Sequence, residues 1–546
     1  MAIMNVGIDK RTIGCHSGRR KPHKSRSGDV NSYDFAHKTC LFKNQIIDET
    51  VSEDNAICRI LRICCNDNVC IRSPSIWNLK MNKDLRSFVG EARQLGPSFY
   101  ANVSKPVDPV FEPCVIQQKL AAESRYPVIR CEKVEGSELP LVTNLFGNYE
   151  LLGLALGVEP NEPKSAILKR FIEREANPLP TKSVDRKDAP VKQKVINEDD
   201  VDLSKLPIVH HAEKDSGKYI TVGVLVVRDP DSGVLNAGMY RHEVQGKNLL
   251  GCMFNPAHHG GYIYRRYKEL NKRMEAVLFI GHHPAALIGT LCEGPMDLSE
   301  LEVMGGLLGE SLEVVDAETV DIPVPAFAEI AIEGYLDPAA ETNDGPFAEF
   351  TGYYGPAKDP VGLMNVTAIT MRDDAIYHDL DPAHQEHNLA GALTLESTVY
   401  ESVKHLCPTV TGVYLPVSGS CRFTVYVSIK KRVPGEGKSA GMAALTANPN
   451  IKMVIVVDDD IDIYDEQRVL WAIATTFEAD KDLAMIPNAM GSHLNPAAYG
   501  EVRTESGPMN TKVIIDATRP ATLHFEEPIK PPQDAWDRIK LDDYLD

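Results

Sequence analysis

The chain has 546 residues, 43% hydrophobic and 25% charged, which is the composition of a globular protein with several domains and a large core. Its formal net charge of −19 argues against a nucleic-acid backbone as its partner. No apolar run approaches the roughly 18 residues of a membrane span.

Residues 1–80 lack sustained periodicity and read as an appendage or an over-extended start. Their basic beginning has no apolar stretch of a secretory leader, so the cytoplasm is the expected compartment. Cys15, Cys40, Cys58, Cys64, Cys65 and Cys70 fall here without a C-x-x-C or zinc-finger spacing. A natural beginning appears at Met81, where Leu85, Val89, Ala92 and Leu95 have helical spacing. "SAILKRFIERE" (165–175) predicts an amphipathic helix stopped by "ANPLP". The charged, Pro-punctuated stretch that follows reads as a domain boundary.

A β-rich region comes next. "YITVGVLVV" (219–227) predicts a buried strand, "RDPDSG" a turn, and "VLNAGMYRHEV" (234–244) the return strand. More strands follow to about residue 378, interspersed with short helices, which suggests a barrel-like sheet. After residue 390 helices and strands alternate, as in a sheet covered by helices. The tail "PQDAWDRIKLDDYLD" predicts an amphipathic helix, an arm onto a neighbouring subunit.

Several stretches carry polar groups that chemistry could use. On one strand, Asn236 and Arg241 of "NAGMYR" would face opposite ways. In "NPAHHGGY", His258 and His259 precede glycines that permit close backbone approach to a ligand, although from these residues alone a plain loop histidine is the favoured reading. Glu300 and Glu302 open a helix, where acids are favourable even when exposed. The acids of "VVDDDIDIYD" suit Mg²⁺ or helix capping, and capping is the reading taken. In "DGPFAEF", Asp344 and Glu349 flank a Gly-Pro that forbids a regular element. Read alone, that stretch is a solvated loop.

In order, "DLSKLPIVHHAEKDSGKYITVGVLVVRDPDSGVLNAGMYRHEV", "PAFAEIAIEGYLDPAAETNDGPFAEFTGYYG", "MRDDAIYHDL" and "VVDDDIDIYDEQRVLWAIATT" resemble UbiD-type decarboxylases over residues 81–525. The resemblance implies a mixed α/β fold. Its parts would be an N-terminal α/β domain (81–195), a split β-barrel that binds flavin (196–385) and a C-terminal α/β oligomerisation domain (386–546). It implies prenylated FMN as cofactor, with a divalent metal, Mn²⁺ or Mg²⁺, and K⁺. Asn236, His258 and Glu300 match the family's metal ligands, with His258 preferred to His259 and Glu302 as a neighbour. Lys438 of "GEGKSAG" is a further candidate for the cofactor phosphate.

Arg241 matches the catalytic arginine, and Asp344 and Glu349 match its two acids, the first being Asp where the family usually has Glu. Arg241 would orient the substrate carboxylate, Asp344 would hold Arg241, and Glu349 would deliver the proton that replaces CO₂. "HQEHNLAGALTLES" and "GSCRFTVYVSIKKR" resemble the hydroxybenzoate branch. His387 would lie near the ring, and Arg422 stands where that branch has Lys. The expected function is reversible decarboxylation of a small aromatic or heteroaromatic acid by a homo-oligomer, dimer or hexamer, supplied with cofactor by a flavin prenyltransferase. The alternatives are a non-catalytic or partner subunit of a multi-subunit UbiD-type carboxylase, and an ordinary flavin reductase.

Overall fold

The computed structural model describes residues 83–256, 258–498 and 508–545, so the expectations for residues 1–80 lie outside the described residues. Helix α1 (Leu85–Gln94) starts where Asp84 accepts a hydrogen bond from the Ser87 N–H and Ser87 Oγ accepts one from the Asp84 N–H. Leu85, Phe88, Val89 and Ala92 form its buried stripe, while Leu95 falls outside the helix and is exposed. A first sheet, in the order β1 (Tyr100–Val103), β2 (Val128–Cys131), β3 (Leu141–Thr143) and β13 (Tyr377–His378), packs beside it. Its last strand comes from far along the chain, so this layer is completed only at residue 378. Helix α2 (Ser165–Glu175) has the bounds its periodicity predicts.

The central sheet contains β4 (Lys194–Asn197), β5 (Tyr219–Ile220), β6 (Val224–Arg228), β7 (Leu235–Met239), β8 (His242–Gly246), β9 (Leu249–Cys252), β10 (Met274–Ile280), β11 (Ile330–Asp344) and β12 (Lys358–Met371). Their order is β5-β8-β9-β12-β11-β10-β6-β7, with β4 added against β12. The two ends of that order are joined twice by very short links, Thr221–Gly223 and Tyr240–Arg241. Links of three or four residue steps span at most roughly 11–14 Å. The sheet therefore curls until its ends meet, as an open barrel with a gap. The two strands expected at 219–227 and 234–244 are each broken at that gap.

The last sheet runs β14 (Val410–Tyr414), β15 (Thr424–Ile429), β16 (Met453–Asp458), β18 (Met509–Ala517), β17 (Leu483–Met490). Helices α5 (Ala392–Leu406), α6 (Glu436–Ala447) and α7 (Glu466–Thr476) accompany it, so the alternation after residue 390 is an α/β layer. The acids of "VVDDDIDIYD" do structural work. Asp465 caps α7, and Asp458 and Asp460 pair with Arg519. The tail is less helical than its pattern predicts, with a short α-helix at Gln533–Arg538 and a single 3-10 turn at Leu541–Asp543. Trp536, Leu541 and Tyr544 are exposed there. Among the described residues no helix is long and apolar enough to cross a membrane.

Buried ionisable groups set a pH window for this fold. Burial holds His242, His283 and His378 down to about 3, and His282 and His384 down to about 4. Burial pushes Glu386 up to about 8 and Glu396 up to about 7. The histidines bind protons only on unfolding below their ordinary value, so their contribution is lost as pH falls. The raised carboxyls have the opposite sign, and theirs is lost as pH rises through 7 to 8. The thermal midpoint is expected to peak near pH ~6.5 and to fall on both sides, more steeply towards acid. Differential scanning calorimetry from pH 4.5 to 8.5 checks this; a midpoint still rising between 7 and 8 would contradict it.

Candidate active site

Arg241 sits at the gap between β7 and β8, buried, where no ladder partner fixes its backbone. Its Nε donates to both Asp344 oxygens at 3.3 and 3.1 Å, Nη2 donates to Asp344 Oδ2, and Nη1 donates to Glu349 Oε1 at 2.5 Å. The ring of Phe347 lies 4.7 Å from the guanidinium carbon. Asp344 ends β11, opposite Lys358 of β12. The chain then reverses through Gly345, whose φ of +79° suits only glycine, and pairs Phe347–Ala348 with Tyr354–Gly355. This turn brings two acids five positions apart onto one guanidinium, and the solvated-loop reading of "DGPFAEF" fails. Asp344 is fully buried and Glu349 is 8% exposed.

The two ion pairs hold the guanidinium charged. Burial pushes the Glu349 carboxyl above the usual range, even against the attraction of Arg241. The segment before β6 grips the turn from behind. Asp215 accepts the Ala348 N–H at 2.8 Å, the Tyr219 hydroxyl accepts the Gly345 N–H at 3.0 Å, and the Tyr219 and Phe347 rings lie 4.4 Å apart. Asp215 and Tyr219 escape a sequence reading because their partners are backbone groups more than a hundred residues away.

A second polar group starts from β7, the strand that leads to Arg241. Asn236 Nδ2 and the Ala237 N–H each donate to Glu300 at 2.9 Å. Asn236 Oδ1 is buried and has no hydrogen-bond partner. Glu300, at the start of α4 (Glu300–Leu308), is buried, not the exposed helix opener its pattern also allowed. Burial raises its carboxyl against the hydrogen bonds it accepts. Glu302, two residues on, is only half-buried. His259, which opens α3 (His259–Glu269), places Nδ1 3.6 Å from Glu300 Oε1. His258, the histidine expected here, is exposed and has Nε2 3.3 Å from the Asn255 amide. The structure thus sets the neighbouring histidine beside Glu300, because the helix begins one residue after His258. Among the described residues no three His, Cys, Asp or Glu side chains cluster as a metal site; this group is one Asn, one Glu and one His.

His387 and Arg422 come from the C-terminal layer. His387 Nδ1 donates to the Pro382 carbonyl at 2.5 Å, and burial with the nearby charges of Arg422 and Arg241 lowers it to about 4. Arg422 lies 5.8 Å from the ring centre of Phe350, the residue after Glu349. Lys438 is not part of this assembly. It projects from the first turn of α6, and its Nζ donates to the Lys481 carbonyl.

Three family models match in order: the N-terminal domain of 3-octaprenyl-4-hydroxybenzoate carboxy-lyase (UbiD) over residues 100–174, its Rift-related domain over 182–384 and its C-terminal domain over 387–517. The anhydromevalonate phosphate decarboxylase of Methanothermobacter thermautotrophicus is 37% identical over 389 residues, 71% of this chain and 88% of that protein. The UbiD-class enzyme HmfF from Pelotomaculum thermopropionicum, solved with FMN, superposes with a TM-score of 0.78 at 37% identity over 85% of this chain and 100% of its own. An evolved dimeric form of HmfF, solved with prFMN, gives 0.75 at 35% over 85% and 100%. Apo 3,4-dihydroxybenzoic acid decarboxylase from Klebsiella pneumoniae gives 0.75 at 26% identity over 84% and 100%.

Proposed function

The chain belongs to the UbiD family of carboxy-lyases, and from that premise we propose that it removes CO₂, reversibly and without net oxidation, from an sp² carbon of a carboxylic acid, using prenylated FMN. The observation that carries this reading is Arg241 held between Asp344 and Glu349. A partner subunit without chemistry of its own, or a flavin reductase, has no use for that arrangement.

Loss of CO₂ from an sp² carbon leaves a carbanion that no side chain can stabilise; prenylated FMN, when bound, supplies the electron sink. The chain's own groups do the rest. Of the five N–H donors of Arg241, three are engaged by Asp344 and Glu349. The remaining two are available to orient a substrate carboxylate. Asp344 keeps the guanidinium plane fixed. Glu349 accepts from Arg241 at Oε1, so the proton destined for carbon is carried at Oε2.

The residues around Asn236 fit a divalent cation. An unpartnered buried amide oxygen, a buried carboxylate and an imidazole are O/N ligands of the kind Mn²⁺ and Mg²⁺ take. Asn236, Glu300 and a histidine of the His258–His259 pair would hold the ion and, through it, the cofactor phosphate. Gly260 leaves the room. A Cβ there would stand 2.3 Å from the Tyr240 hydroxyl and 3.4 Å from Asn236 Oδ1. Gly260→Ala is expected to weaken Mn²⁺ binding by about tenfold or more, as altered metal surroundings typically do. Metal titration followed by isothermal calorimetry checks it, and unchanged affinity would remove this cradle from the metal site.

The first substrate reading is an aromatic or heteroaromatic acid, supported by the ring wall of Phe350, Phe423 and His387 and by the likeness to the dihydroxybenzoic acid decarboxylase. The second, an alkenyl acid, is favoured by the 37% identity to the anhydromevalonate phosphate decarboxylase. The test is co-production with a flavin prenyltransferase, then a panel of aromatic, heteroaromatic and alkenyl acids. CO₂ release from at least one is expected; none, despite bound prenylated flavin, overturns the proposal.

A further inference from the structure

The catalytic arginine has its charge fully matched, with two carboxylates pressed onto it. Arg422 is the opposite case. Nη1 donates to the carbonyls of Asn388 (3.2 Å) and Cys421 (2.8 Å), which fixes the side chain, but no carboxylate of the described residues comes within ion-pair distance. The two acids whose fields reach it do not meet it. Glu396 is committed to the Tyr149 hydroxyl and the Leu415 N–H, at 2.8 and 2.9 Å. Glu293 is exposed and makes no ion pair with it. Burial accordingly makes the charge on Arg422 costly, and its affinity for its proton is lowered. An arginine held this way, with Nε and Nη2 uncommitted among the described residues, calls for an anion from outside the chain.

The surroundings of Arg422 are aromatic. Arg422 lies over Phe350, whose ring is 5.7 Å from Phe423 and 6.3 Å from His387. All four side chains are half-buried, so each keeps part of its surface accessible. His387 feels the charges of both Arg422 and Arg241, so both guanidinium groups lie in its neighbourhood. Gly391 lets the guanidinium lie where it does, because a Cβ there would come within 2.2 Å of Nη2.

We propose that Arg422 forms a second anion subsite, and that the substrate carries, besides the carboxylate that is lost, a further carboxylate or phosphate. The subsite rests on the decarboxylase reading and narrows it. Arg241 takes the leaving carboxylate, and Arg422 takes the group that stays, with the unsaturated carbons lying along Phe350 between them. An Arg offers paired donors matched to either oxyanion, which a hydroxyl would not need.

The test uses the holoenzyme and matched acids: cinnamate, 4-carboxycinnamate and 4-phosphonooxycinnamate, with pent-2-enoate and its 5-phosphate as the alkenyl pair. Steady-state kcat/KM and calorimetric binding are read for wild type, Arg422→Gln and Arg422→Lys. At least one doubly charged acid is expected to exceed its singly charged counterpart by about tenfold or more in wild type, a difference of about 1.4 kcal/mol. That ratio is expected to collapse towards unity in Arg422→Gln and to recover in part in Arg422→Lys, and the carboxylate and phosphate arms say which oxyanion is taken. A wild-type ratio near unity overturns the subsite even if the glutamine variant does not fold. So does a ratio that survives in Arg422→Gln, or loss of bound flavin from that variant, which would assign the guanidinium to the cofactor. Turnover of singly charged acids without preference sinks the subsite alone; no binding or turnover of any acid sinks the decarboxylase reading as well.

Discussion

Glu349→Gln is expected to lower turnover by about 10²–10⁴, the usual worth of a positioned general acid, while the protein keeps its bound flavin. The amide preserves the shape of the side chain and still accepts from Arg241 Nη1 through its oxygen, so the turn and the guanidinium stay in place. Only the proton at the second oxygen is lost. The effect should therefore fall on kcat with little change in KM, and solvent-deuterium incorporation into product should slow in step. The wild-type pH profile carries the same information. Burial raises the Glu349 carboxyl, so the acid is present below its raised value, and decarboxylation should fall as pH rises through it. That limb should vanish in the glutamine variant. Near-normal turnover by Glu349→Gln would assign the proton to another group.

The second large effect is expected from Arg241→Ala, and it has two parts. Activity should fall by several orders of magnitude, because the substrate carboxylate loses its oriented donors. Stability should also fall, by about 3 kcal/mol at neutral pH, because Asp344 and Glu349 would remain buried without their counter-charge. The parts separate on acidification. Protonating the stranded carboxyls relieves the folding penalty, so the gap in thermal midpoint between variant and wild type should narrow from pH 7.5 to 5.5. No pH should restore turnover. A midpoint gap that does not change with pH would mean that the acids do not depend on Arg241 for their burial.

The sequence is legible where periodicity and punctuation agree. The helix at 165–175 is read from its apolar spacing and the breaker that follows it, and the structure has it at that position. Arg241, Asp344 and Glu349 are legible only through resemblance, since nothing local says that "DGPFAEF" faces a guanidinium a hundred residues earlier. The break in "VLNAGMYRHEV" is not legible, because no Gly-Pro marks it; it comes from the sheet closing on itself, a non-local demand. The burial of Glu300 is hidden for a related reason. An acid in a helix's first turn looks the same whether it faces water or the Asn236 amide. The choice between His258 and His259 turns on one residue of helix onset, finer than a pattern resolves. Gly437, beside Lys438, serves the packing of α6 against Asp516.

The sources of the two arginines have a bearing on how such a protein changes over time. Arg241, its two acids and the Asn236–Glu300 pair all lie between residues 236 and 349, on strands of one sheet and the segments beside them. Arg422, His387 and Phe423 lie beyond residue 386, in a separate layer, and only Phe350 belongs to both neighbourhoods. The residues proposed for reaction and for selectivity are thus encoded on consecutive stretches of the gene. On the roles proposed for them, a crossover near codon 384 would exchange the selectivity residues while keeping the reaction residues.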